Sequence, residues 1–431
     1  MMPAPLHSSS RRRALGALGA GAAAWSMPAL LHAQAGAAQI VVVGGGFGGA
    51  TAARYLRKWL PAARITLVEP AARYYTCAFS SLYLAGLRDW ETQGHGYDAL
   101  RTLGIDVVQA SADDIDPVAR TVTLTGGERL RWDKLVLSPG IDMRWDALPG
   151  YDEAAAEFAP HAWKAGAQTH LLRQQLQAMP DGGTFMMVIP AGPYRCPPGP
   201  YERAALVAHY LARRKPRSKL VLLDAKDEFS KKPLFLEGWK QRYGDMVEWR
   251  PPAEGGAVVR VDAQRREAED AHGARHRAEV LNVIPAQKAG LIAVRAGVVD
   301  ASGWAPVHAG NFASTLQPHV HVIGDAASAA PMPKSGSSAN AQAKLVAAAL
   351  QAELLGRDAP EALCTNTCYS LIGPKHGISV AGVYRAQSGK LIEVPGSGGI
   401  SPLGEGADFR SAEAMYALAW YESICGDTWG V

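Results

Sequence analysis

The stretch Gln39-Ile-Val-Val-Val-Gly-Gly-Gly-Phe-Gly-Gly-Ala-Thr-Ala-Ala-Arg54 decides the fold of this chain. Four consecutive apolar residues, Ile40 to Val43, predict a buried strand, and an alanine-rich helical pattern follows the glycines and ends near Leu60. A second apolar strand, Arg64 to Glu69, ends in an acid about 20 residues beyond the glycines. Strand, turn, helix and acid follow one another as in a dinucleotide-binding βαβ unit.

The glycines of this turn, Gly44-x-Gly46-x-x-Gly49, have distinct expected tasks. Gly44 allows the tight turn, Gly46 lets the backbone approach a pyrophosphate, and Gly49 lets helix and strand pack closely. Unpaired N–H groups at the helix N-terminus would bind the phosphates, and Glu69 would accept hydrogen bonds from a ribose diol. Phe47, inside the triad, is assigned with them to cofactor binding. A glycine triad alone also suits an ordinary turn, but the register of strand, helix and acid favours a dinucleotide.

Length and composition indicate a globular protein of two or three domains. The chain has 431 residues, and its hydrophobic content of 48% and charged content of 19% are typical of a protein with a large core. The formal net charge of +4 gives no support to nucleic-acid binding, and the basic cluster Arg213-Arg214-Lys215 is better explained as a solvated helix end. Nucleic acid is therefore not an expected partner.

The N-terminus has the pattern of an export signal. Arg11-Arg12-Arg13 precedes a modestly apolar run, Ala14 to Leu31, and Ala33-Gln34-Ala35 supplies small residues for cleavage. Paired arginines before a weakly hydrophobic core predict the twin-arginine route, for proteins exported already folded around a cofactor, and hence a periplasmic location. A membrane anchor is the alternative, but 18 residues rich in Ala and Gly are barely long enough to span a bilayer. Residues 1–35 are therefore assigned to a signal peptide, and no stable membrane insertion is expected.

The cysteines bear on the redox chemistry, and there are five: Cys77, Cys196, Cys364, Cys368 and Cys425. An exported protein lies in an oxidising compartment, so disulfides are allowed. Because the number is odd, at least one thiol must be free, bound to another group or paired between chains. No two cysteines have C-x-x-C spacing and the histidines are scattered, so no metal site is predicted. The C-x-x-C-H motif is also missing from the sequence, so haem is not expected on this chain.

Three later segments could lie against a bound dinucleotide. Cys77 follows the second strand closely, and the loop after that strand opens onto the switch-point crevice; a buried small hydrophobe is the alternative. Asp133 to Gly140 is a short apolar strand with a small-residue turn, which is typical of a second flavin contact in flavoprotein disulfide reductases. Pro318 to Ala326 is a third strand that ends in Gly324 and Asp325. Asp325 could accept a hydrogen bond from a flavin ribityl chain, and the following helix would aim its N-terminus at the cofactor; an ordinary strand-end turn is the alternative.

A second α/β unit follows, with a strand from Thr184 to Ile189, a helical run from Tyr201 to Arg213 and a strand from Lys219 to Asp224. This is the pattern of a second dinucleotide fold, where an NAD(P)H site would be expected. The turn, however, is Pro190-Ala-Gly-Pro-Tyr-Arg-Cys-Pro-Pro-Gly-Pro200, with five prolines where free N–H groups should bind a pyrophosphate. We therefore expect the fold without its nicotinamide site, which the cysteine Cys196 replaces.

Five motifs carry a resemblance to a known family: Tyr75-Thr-Cys77, Arg195-Cys-Pro-Pro-Gly-Pro-Tyr-Glu-Arg203, Ile323-Gly-Asp325, Pro333-Lys-Ser-Gly336 and Asn366-Thr-Cys-Tyr-Ser370. From about Gln39 to the C-terminus, the chain resembles the flavoprotein subunit of flavocytochrome c sulfide dehydrogenase. The resemblance implies FAD bonded covalently through its 8α position to Cys77. It also implies a redox-active disulfide between Cys196 and Cys368 that faces the flavin, and a c-type cytochrome subunit as electron acceptor in a heterodimer.

The resemblance further implies an α/β fold with a glutathione-reductase-like pair of dinucleotide-binding-type domains and a small C-terminal sheet domain. The expected segments are 36–149 with 291–361 for the FAD-binding domain, 150–290 for the second domain and 362–431 for the C-terminal domain. Within the last segment, 366–374 and 377–384 predict strands, and Phe409 to Ile424 predicts one short helix.

The chemistry of sulfur agrees with these expectations. Hydrosulfide is a soft nucleophile that would attack one sulfur of the disulfide, leaving a persulfide and a thiolate. The thiolate, held near the flavin, would pass two electrons to FAD, which converts them into single electrons for haem. A purely structural bridge is the alternative in an exported protein. Glu202, six residues after Cys196 and in the expected first turn of a helix, is the candidate proton acceptor for hydrosulfide; an acid that faces the helix dipole is the alternative.

Two other functions stay open. A sulfide:quinone oxidoreductase shares the fold and the chemistry but delivers electrons to membrane quinone, and it would require an amphipathic pair of C-terminal helices. The predicted tail, one short helix followed by Gly426-Asp-Thr-Trp-Gly430, argues against it. The third possibility is a flavoprotein that acts on another thiol or sulfur substrate or stabilises another redox subunit. Cys364 and Cys425 match no motif; they could pair with each other, or Cys364 could complicate the assignment of the active bridge.

Overall fold

The computed structural model describes residues 37–430, and the predicted signal peptide lies outside them. The described strands are β1 (Gln39–Val43), β2 (Arg64–Val68), β3 (Arg73–Tyr75), β4 (Gly94–Gly96), β5 (Asp106–Val108), β6 (Ala112–Asp116), β7 (Thr121–Leu124), β8 (Arg129–Arg131), β9 (Lys134–Leu137), β10 (Ile141–Met143), β11 (Thr184–Ile189), β12 (Lys219–Asp224), β13 (Val247–Arg250), β14 (Val258–Asp262), β15 (Glu267–Asp270), β16 (Arg275–Arg277), β17 (Val280–Val283), β18 (Gln287–Ala289), β19 (Ala305–Pro306), β20 (Val320–Val322), β21 (Ala327–Ser328), β22 (Leu363–Gly373), β23 (His376–Gln387), β24 (Lys390–Glu393) and β25 (Gly399–Ile400). The α-helices are α1 (Phe47–Trp59), α2 (Ser80–Leu84), α3 (Asp98–Thr102), α4 (Ala167–Ala178), α5 (Gly199–Arg214), α6 (Lys232–Tyr243), α7 (Leu291–Arg295), α8 (Gly336–Leu354) and α9 (Ala407–Trp429).

The strand predicted from Ile40 to Val43 is the centre of a five-stranded parallel sheet with the order β20-β9-β1-β2-β5. Its four apolar side chains are at most 5% exposed, as expected for a strand of a parallel sheet covered on both faces. The chain leaves β1 through α1 and returns in β2, which pairs parallel to β1 with Gln39 opposite Arg64. The predicted βαβ unit is confirmed.

The second α/β unit forms around a four-stranded parallel sheet with the order β13-β12-β11-β17. In it, α5 is the crossover helix between β11 and β12. The helix begins at Gly199 rather than at Tyr201, since Pro198 is its N-cap and Pro200 lies in the first turn, where a proline costs no hydrogen bond. The predicted second unit is therefore confirmed, with a slightly longer helix.

Each parallel sheet is interrupted along the chain by a short antiparallel sheet of three strands. One, β6-β7-β8, lies in the chain between β5 and β9, and another, β14-β15-β16, between β13 and β17. The segment that forms β6, Ala-Asp-Asp-Ile-Asp, has no apolar alternation, so its pairing with β7 rather than a local pattern defines this strand. A further antiparallel pair is formed by β10 and β18, with Ile141 opposite Ala289. It joins the segment that precedes the second unit to the segment that follows it.

The C-terminal sheet is antiparallel, with the order β22-β23-β24, and β25 also pairs with β23. Cys368 lies in β22, opposite Val380 of β23. The small C-terminal sheet is therefore confirmed.

The prediction of one short C-terminal helix was wrong in its length. α9 runs from Ala407 to Trp429 and so includes four of the five residues that were expected to follow it, while the fifth, Gly430, is its C-cap. Tertiary contacts extend the helix past Gly426: Trp429 is fully buried, and the carboxylate of Asp427 binds Lys344 and Tyr55. None of these partners is near in sequence, so no local pattern predicted them.

The observed fold class is α/β, with two dinucleotide-binding-type units and a small C-terminal sheet, as predicted. Residues from 37 onward form one compact unit, so the predicted domain boundaries stay predictions. Among residues 37–430, no helix combines the length and the apolar character needed to cross a bilayer.

Candidate active site

The turn between β1 and α1 has the shape of a phosphate-binding turn. Gly44 has a φ of +100°, and a Cβ there would lie 2.3 Å from the carbonyl oxygen of Ser138. A Cβ at Gly49 would lie 1.7 Å from the carbonyl oxygen of Gly44, so only glycine allows this approach of helix and turn. The Oε2 atom of Glu69 accepts a hydrogen bond from the N–H of Gly45 at 2.7 Å, which places the acid directly on the turn.

The N-terminus of α1 is suited to an anion. Its N-cap, Gly46, has no side chain to bind the first N–H groups, and the first turn, which begins at Phe47, contains no acidic residue. The first N–H groups of a helix lack intrahelical partners, and the helix dipole adds partial positive charge there. A phosphate fits this end of α1, and the cofactor-binding roles of Gly46 and Phe47 stay predictions.

Trp429 is a residue of this turn that the sequence did not reveal. Its Nε1 donates a hydrogen bond to the carbonyl oxygen of Gly45 at 3.1 Å, and the hydroxyl of Tyr97 donates to the same oxygen at 3.1 Å. Its indole ring stacks on His95 with the centroids 4.6 Å apart. The last turn of α9 thus holds the phosphate-binding turn from 384 residues away in the chain.

Arg195 joins two predicted flavin contacts to the second unit. Its Nη2 donates to Cys77 Sγ at 3.1 Å, and the backbone N–H of Ala165 donates to the same sulfur at 3.3 Å. Its Nη1 lies 3.8 Å from Oδ2 of Asp325. One guanidinium therefore lies between Cys77 and Asp325, and it belongs to the residue that precedes Cys196.

Asp325 keeps an unused acceptor inside the protein. Its side chain is 13% exposed, and its Oδ1 has no hydrogen-bond partner among the described residues. Burial raises the pKa of Asp325, while Arg195 and Lys334 oppose that rise. An unpaired buried acceptor is unfavourable by about 1–3 kcal/mol, so a hydroxyl of a ribityl chain is a fitting donor.

The two other predicted glycine contacts follow β9 and β20. Gly140 and Gly324 have φ of +67° and +72°. No heavy atom lies within 4 Å of a Cβ built on Gly140, so this turn borders open space. The N-terminus of α8 was expected to offer free N–H groups to the cofactor. One of them, the N–H of Ser338, already donates to the hydroxyl of Ser335 at 3.0 Å, so fewer are free than expected. With the turn of β1 and the free oxygen of Asp325, these residues fit an extended flavin dinucleotide.

Cys196 lies in the proline-rich turn of the second unit. It has a left-handed φ of +57°, and its N–H donates to the carbonyl oxygen of Lys334 at 2.8 Å. Burial raises the pKa of the Cys196 thiol, and the charges of Cys368 and Glu202 raise it further. Glu202 in the first turn of α5 also binds the N–H of Leu371 in β22, so the turn with Cys196 and the strand with Cys368 meet, and Cys196, Cys368 and Glu202 form one cluster. Both cysteines are thiols in the structure, and the bond between them stays a prediction.

Glu202 joins the elements that carry the two cysteines. It lies in the first turn of α5, as predicted, and its Oε1 accepts a hydrogen bond from the N–H of Leu371 in β22 at 2.8 Å. Burial raises the pKa of Glu202 to about 7, although the Leu371 N–H and the charges of Lys231 and Arg203 oppose the rise. A carboxyl group that titrates near neutrality can accept and return a proton under working conditions.

Lys231 also lies at this cluster, and no sequence pattern singles it out. It is 4% exposed, and its Nζ donates to the carbonyl oxygen of Cys368 and to the hydroxyl of Ser370, both at 2.9 Å. Its neighbour Lys232 pairs instead with Glu228 in an i,i+4 ion pair. In the sequence the two lysines look like one solvated basic run.

In the second unit, Asp224 has the position at the strand end that Glu69 has in the first unit, but its carboxylate already accepts hydrogen bonds from other side chains of the protein. Asp224 ends β12 and is fully buried. The hydroxyl of Tyr201 donates to its carboxylate at 2.6 Å, Trp249 Nε1 donates at 3.0 Å, and Lys226 Nζ also donates. Together with the five prolines of the turn, these bonds disfavour a nicotinamide nucleotide in the second unit.

Cys364 and Cys425 are not part of the cluster around Cys196. Both are thiols buried in the apolar core that surrounds α1 and α8. Burial raises the pKa of each thiol to about 12, which disfavours the reactive thiolate form of both. Within residues 37–430, no group of three or more His, Cys, Asp and Glu side chains is placed to hold a metal ion.

Family models match the chain in three pieces. Residues 38–189 match the pyridine nucleotide-disulphide oxidoreductase model. Residues 169–285 match the central part of the sulfide dehydrogenase [flavocytochrome c] flavoprotein chain, and residues 360–429 match the flavin-binding part of flavocytochrome c sulphide dehydrogenase. The first of these pieces contains Cys77, the second contains Cys196 and Glu202, and the third contains Cys368.

Individual relatives agree with the family models. The chain is 56% identical over 46 residues to the sulfide dehydrogenase [flavocytochrome c] flavoprotein chain of Chlorobaculum thiosulfatiphilum, which covers 11% of this chain and 96% of that sequence. It is 21% identical over 333 residues to the mitochondrial sulfide:quinone oxidoreductase of Mus musculus, which covers 72% of this chain and 69% of that one. The crystal structure of the sulfide:quinone oxidoreductase of Aquifex aeolicus has a TM-score of 0.70 at 18% identity, over 92% of this chain and 93% of that chain.

Proposed function

Because this chain belongs to the sulfide-oxidising flavoprotein family of flavocytochrome c sulfide dehydrogenases and sulfide:quinone oxidoreductases, we propose that it is a periplasmic, FAD-dependent sulfide dehydrogenase whose electron acceptor is a c-type cytochrome subunit. The observation that carries the proposal is geometric: Glu202 of α5 binds the N–H of Leu371 in β22, which joins the elements that carry Cys196 and Cys368. Arg195, the residue before Cys196, contacts Cys77, and so connects this cysteine pair with the expected flavin attachment point.

The reaction begins at the cysteine pair. Hydrosulfide attacks one sulfur of the Cys196–Cys368 disulfide, so that one S–S bond forms, another breaks, and the second cysteine leaves as a thiolate. Glu202, with a pKa raised to about 7 by burial, takes the proton of the bound sulfur in its ionised form. FAD, when bound, would supply the two-electron acceptor with which the Cys196–Cys368 disulfide forms again as the bound sulfur leaves at the oxidation level of elemental sulfur, and it would pass the two electrons singly to haem.

The residues that would hold FAD are those of the first unit. The turn at Gly44, Gly46 and Gly49 and the start of α1 suit the pyrophosphate, and Glu69 suits a ribose. Asp325 would accept a ribityl hydroxyl, and Cys77 would form the covalent link at 8α. The link is supported by the position of Cys77 beside Arg195, which also contacts Asp325.

A periplasmic location rests on the arginines Arg11-Arg12-Arg13 and the apolar run after them. Replacing all three arginines by lysine should leave the full-length protein in the cytoplasm of an expression host, whereas the natural sequence should place it in the periplasmic fraction. Cytoplasmic retention of both forms would contradict the export proposal.

The proposed function is tested by two measurements on one preparation of mature protein. Acid precipitation should leave yellow flavin in the pellet, and anaerobic titration of the native protein with sulfide should bleach the flavin absorbance. Flavin in the supernatant with bleaching intact would remove the covalent link at Cys77 and favour quinone as acceptor. The absence of bleaching would contradict sulfide oxidation and favour another thiol or sulfur substrate.

Quinone is a second candidate acceptor, and α9 is the observation that favours it. The helix is longer than predicted, and it exposes four large apolar side chains, Met415 at 61%, Tyr416 at 59%, Phe409 at 40% and Leu418 at 40%. An exposed apolar helix face can lie on a membrane surface. The two candidates are separated by adding sulfide with either oxidised cytochrome c or a short-chain quinone in liposomes. Reduction of the cytochrome alone supports the primary proposal, and reduction of the quinone alone supports the second.

A further inference from the structure

We propose that Lys231 is a positioning residue of the cysteine pair: its ammonium group draws the hydrosulfide anion to the Cys196–Cys368 disulfide and stabilises the thiolate that forms when the disulfide opens. The inference rests on the proposed function, because it concerns the same reaction at the same cluster. Neither the sequence motifs nor the family matches point to a role of this positive charge in the reaction.

The contacts of Lys231 place its ammonium group at the backbone of Cys368. The side chain is 4% exposed, and Nζ lies 2.9 Å from the carbonyl oxygen of Cys368 and 2.9 Å from the hydroxyl of Ser370. An ammonium group has three N–H donors. Within the part of the chain that the structure describes, these two acceptors use two of the donors, which leaves the third for an anion beside Cys368.

The groups around Lys231 that can carry negative charge include both cysteines that would react with hydrosulfide. Burial lowers the pKa of Lys231, and the negative charges that Cys368, Glu202, Cys196 and, more weakly, Glu413 can carry oppose that fall. A thiolate on either cysteine therefore strengthens the charged form of the lysine. The reverse also holds, since a favourable interaction between two ionised groups stabilises both of them.

The charge balance of the reaction requires such a cation. Hydrosulfide brings one negative charge to the cluster, and after attack that charge stays on the thiolate of the released cysteine. The sulfur of the substrate forms one S–S bond as the old S–S bond breaks, so no external oxidant takes part in this step. A charge moved into a partly buried site is unfavourable unless it is paired, and the ammonium of Lys231 is placed to pair with it.

The backbone separates Lys231 from the lysine that follows it. Lys231 has a left-handed φ of +63° and is the N-cap of α6, whereas Lys232 is the first residue of the helix. The change in backbone direction sends Lys231 inward to Cys368 and Lys232 outward to Glu228. Lys232→Met is therefore a matched control for Lys231→Met, because it removes the same charge one residue away.

The first test measures the redox potential of the cysteine pair in flavin-loaded protein. The protein is equilibrated in glutathione buffers of graded potential, its free thiols are alkylated, and the peptides of Cys196 and Cys368 are quantified by mass spectrometry. Because Lys231 stabilises the thiolate of the reduced form, Lys231→Met should favour the disulfide about tenfold or more, which corresponds to a potential more negative by about 30 mV or more. Lys231→Arg should restore most of the shift, and Lys232→Met should cause none.

The second test measures the rate of flavin bleaching by sulfide in single-turnover experiments. Lys231→Met should slow bleaching by about tenfold to a hundredfold, the range expected for the loss of one charge-assisted hydrogen bond. Lys232→Met should react like the unmodified protein. The potential is measured without sulfide, so a protein that fails to react with sulfide contradicts the proposed function while the potential still decides the role of Lys231.

A merely structural lysine would give a different pattern. Lys231→Met would then lower the midpoint of urea unfolding, and the potential and the bleaching rate of the folded protein would stay unchanged, which overturns the proposal. Wild-type protein in which Cys196 and Cys368 never form a disulfide also overturns it. If Lys231→Met does not fold, Lys231→Gln, which keeps a donor for Ser370 without the charge, serves in both tests with the same expectations.

Discussion

Glu202 of α5 accepts a 2.8 Å hydrogen bond from the backbone N–H of Leu371 in β22, across 169 residues of chain. Cys196 lies just before α5 begins, and Cys368 lies in β22 itself. The bond therefore holds together the two elements that carry the cysteine pair, and it does so with the carboxyl group proposed to move the proton. Loss of both carboxyl oxygens at Glu202 should affect the geometry and the proton transfer, whereas glutamine, which keeps one acceptor oxygen, should affect mainly the proton transfer.

Glu202→Gln should change the pH dependence of sulfide oxidation. Burial raises the pKa of Glu202 to about 7, so the carboxyl is protonated and unable to accept a proton below that pH and ionised above it. The ratio of the wild-type to the Glu202→Gln bleaching rate should therefore rise with pH through about 7 and level off at about a hundredfold. Stopped-flow absorbance of the flavin at matched sulfide concentrations measures this ratio.

Hydrogen sulfide itself ionises with pH, and this affects both proteins equally. The ratio of the two bleaching rates therefore reports the ionisation of Glu202 alone. Lys231, Arg203 and the N–H of Leu371 face Glu202 and favour its ionised form, whereas a thiolate on Cys196 would oppose it. Glutamine keeps an acceptor for the Leu371 N–H, so the hydrogen bond is maintained. A ratio that does not vary with pH would exclude Glu202 as the proton acceptor.

Gly49→Ala should abolish flavin binding. The added methyl group would lie 1.7 Å from the carbonyl oxygen of Gly44, so α1 and the phosphate-binding turn would have to separate. The flavin content of purified protein, read from the ratio of visible to ultraviolet absorbance, should fall at least about tenfold, because a displaced helix N-terminus no longer binds the pyrophosphate. Gly96→Ala is the control, since no heavy atom lies within 4 Å of a Cβ there. Equal flavin content in both variants would contradict the role of Gly49.

Asp325→Asn should weaken flavin binding in a Cys77→Ser background, where binding is reversible. The amide removes the negative charge that faces Arg195 and places a donor where a ribityl hydroxyl would donate. The loss of one charge-assisted hydrogen bond predicts a dissociation constant about tenfold to a hundredfold larger. Quenching of FAD fluorescence on titration with apoprotein measures it. Asp300→Asn, at an exposed carboxylate of a turn, should leave the constant unchanged.

Trp429→Ala should destabilise the protein through the phosphate-binding turn. A fully buried indole ring is lost together with its hydrogen bond to Gly45, and such truncations cost about 3–5 kcal/mol. Trp429→Phe keeps an aromatic ring and loses mainly the hydrogen bond, for about 1 kcal/mol. Urea unfolding followed by flavin release measures both. Trp420→Phe, at a partly exposed position of the same helix, should cost less than Trp429→Phe, and the reverse order would contradict the role given to Trp429.

The elements that the sequence predicted are those whose signal is local. Ile40 to Val43 and the glycines after them predict strand, turn and helix from neighbouring residues alone, and the prolines around Cys196 predict an altered turn in the same way. The structure has both features. Glu69 lies at the end of β2 beside the glycine turn, and Glu202 lies in the first turn of α5, as the local patterns predict.

The residues that the sequence did not reveal act over long distances in the chain. Arg195 contacts Cys77 across 118 residues, and Trp429 contacts Gly45 across 384 residues. Lys231 and Lys232 have the same chemistry and adjacent positions, and only the left-handed backbone of Lys231 sends one of them inward. The length of α9 was missed for the same reason, because Asp427 and Trp429 are held by distant partners. Such contacts leave no pattern among sequence neighbours.

The central claim, that sulfide opens a Cys196–Cys368 disulfide, is tested most directly by mass spectrometry of the cysteine peptides. Oxidised protein should yield one peptide pair linked through Cys196 and Cys368. After one equivalent of sulfide under anaerobic conditions and rapid alkylation, one of the two cysteines should carry the mass of one extra sulfur atom, and the other should be alkylated. Two alkylated thiols before any sulfide is added, or an extra sulfur on neither cysteine after it, would contradict the claim.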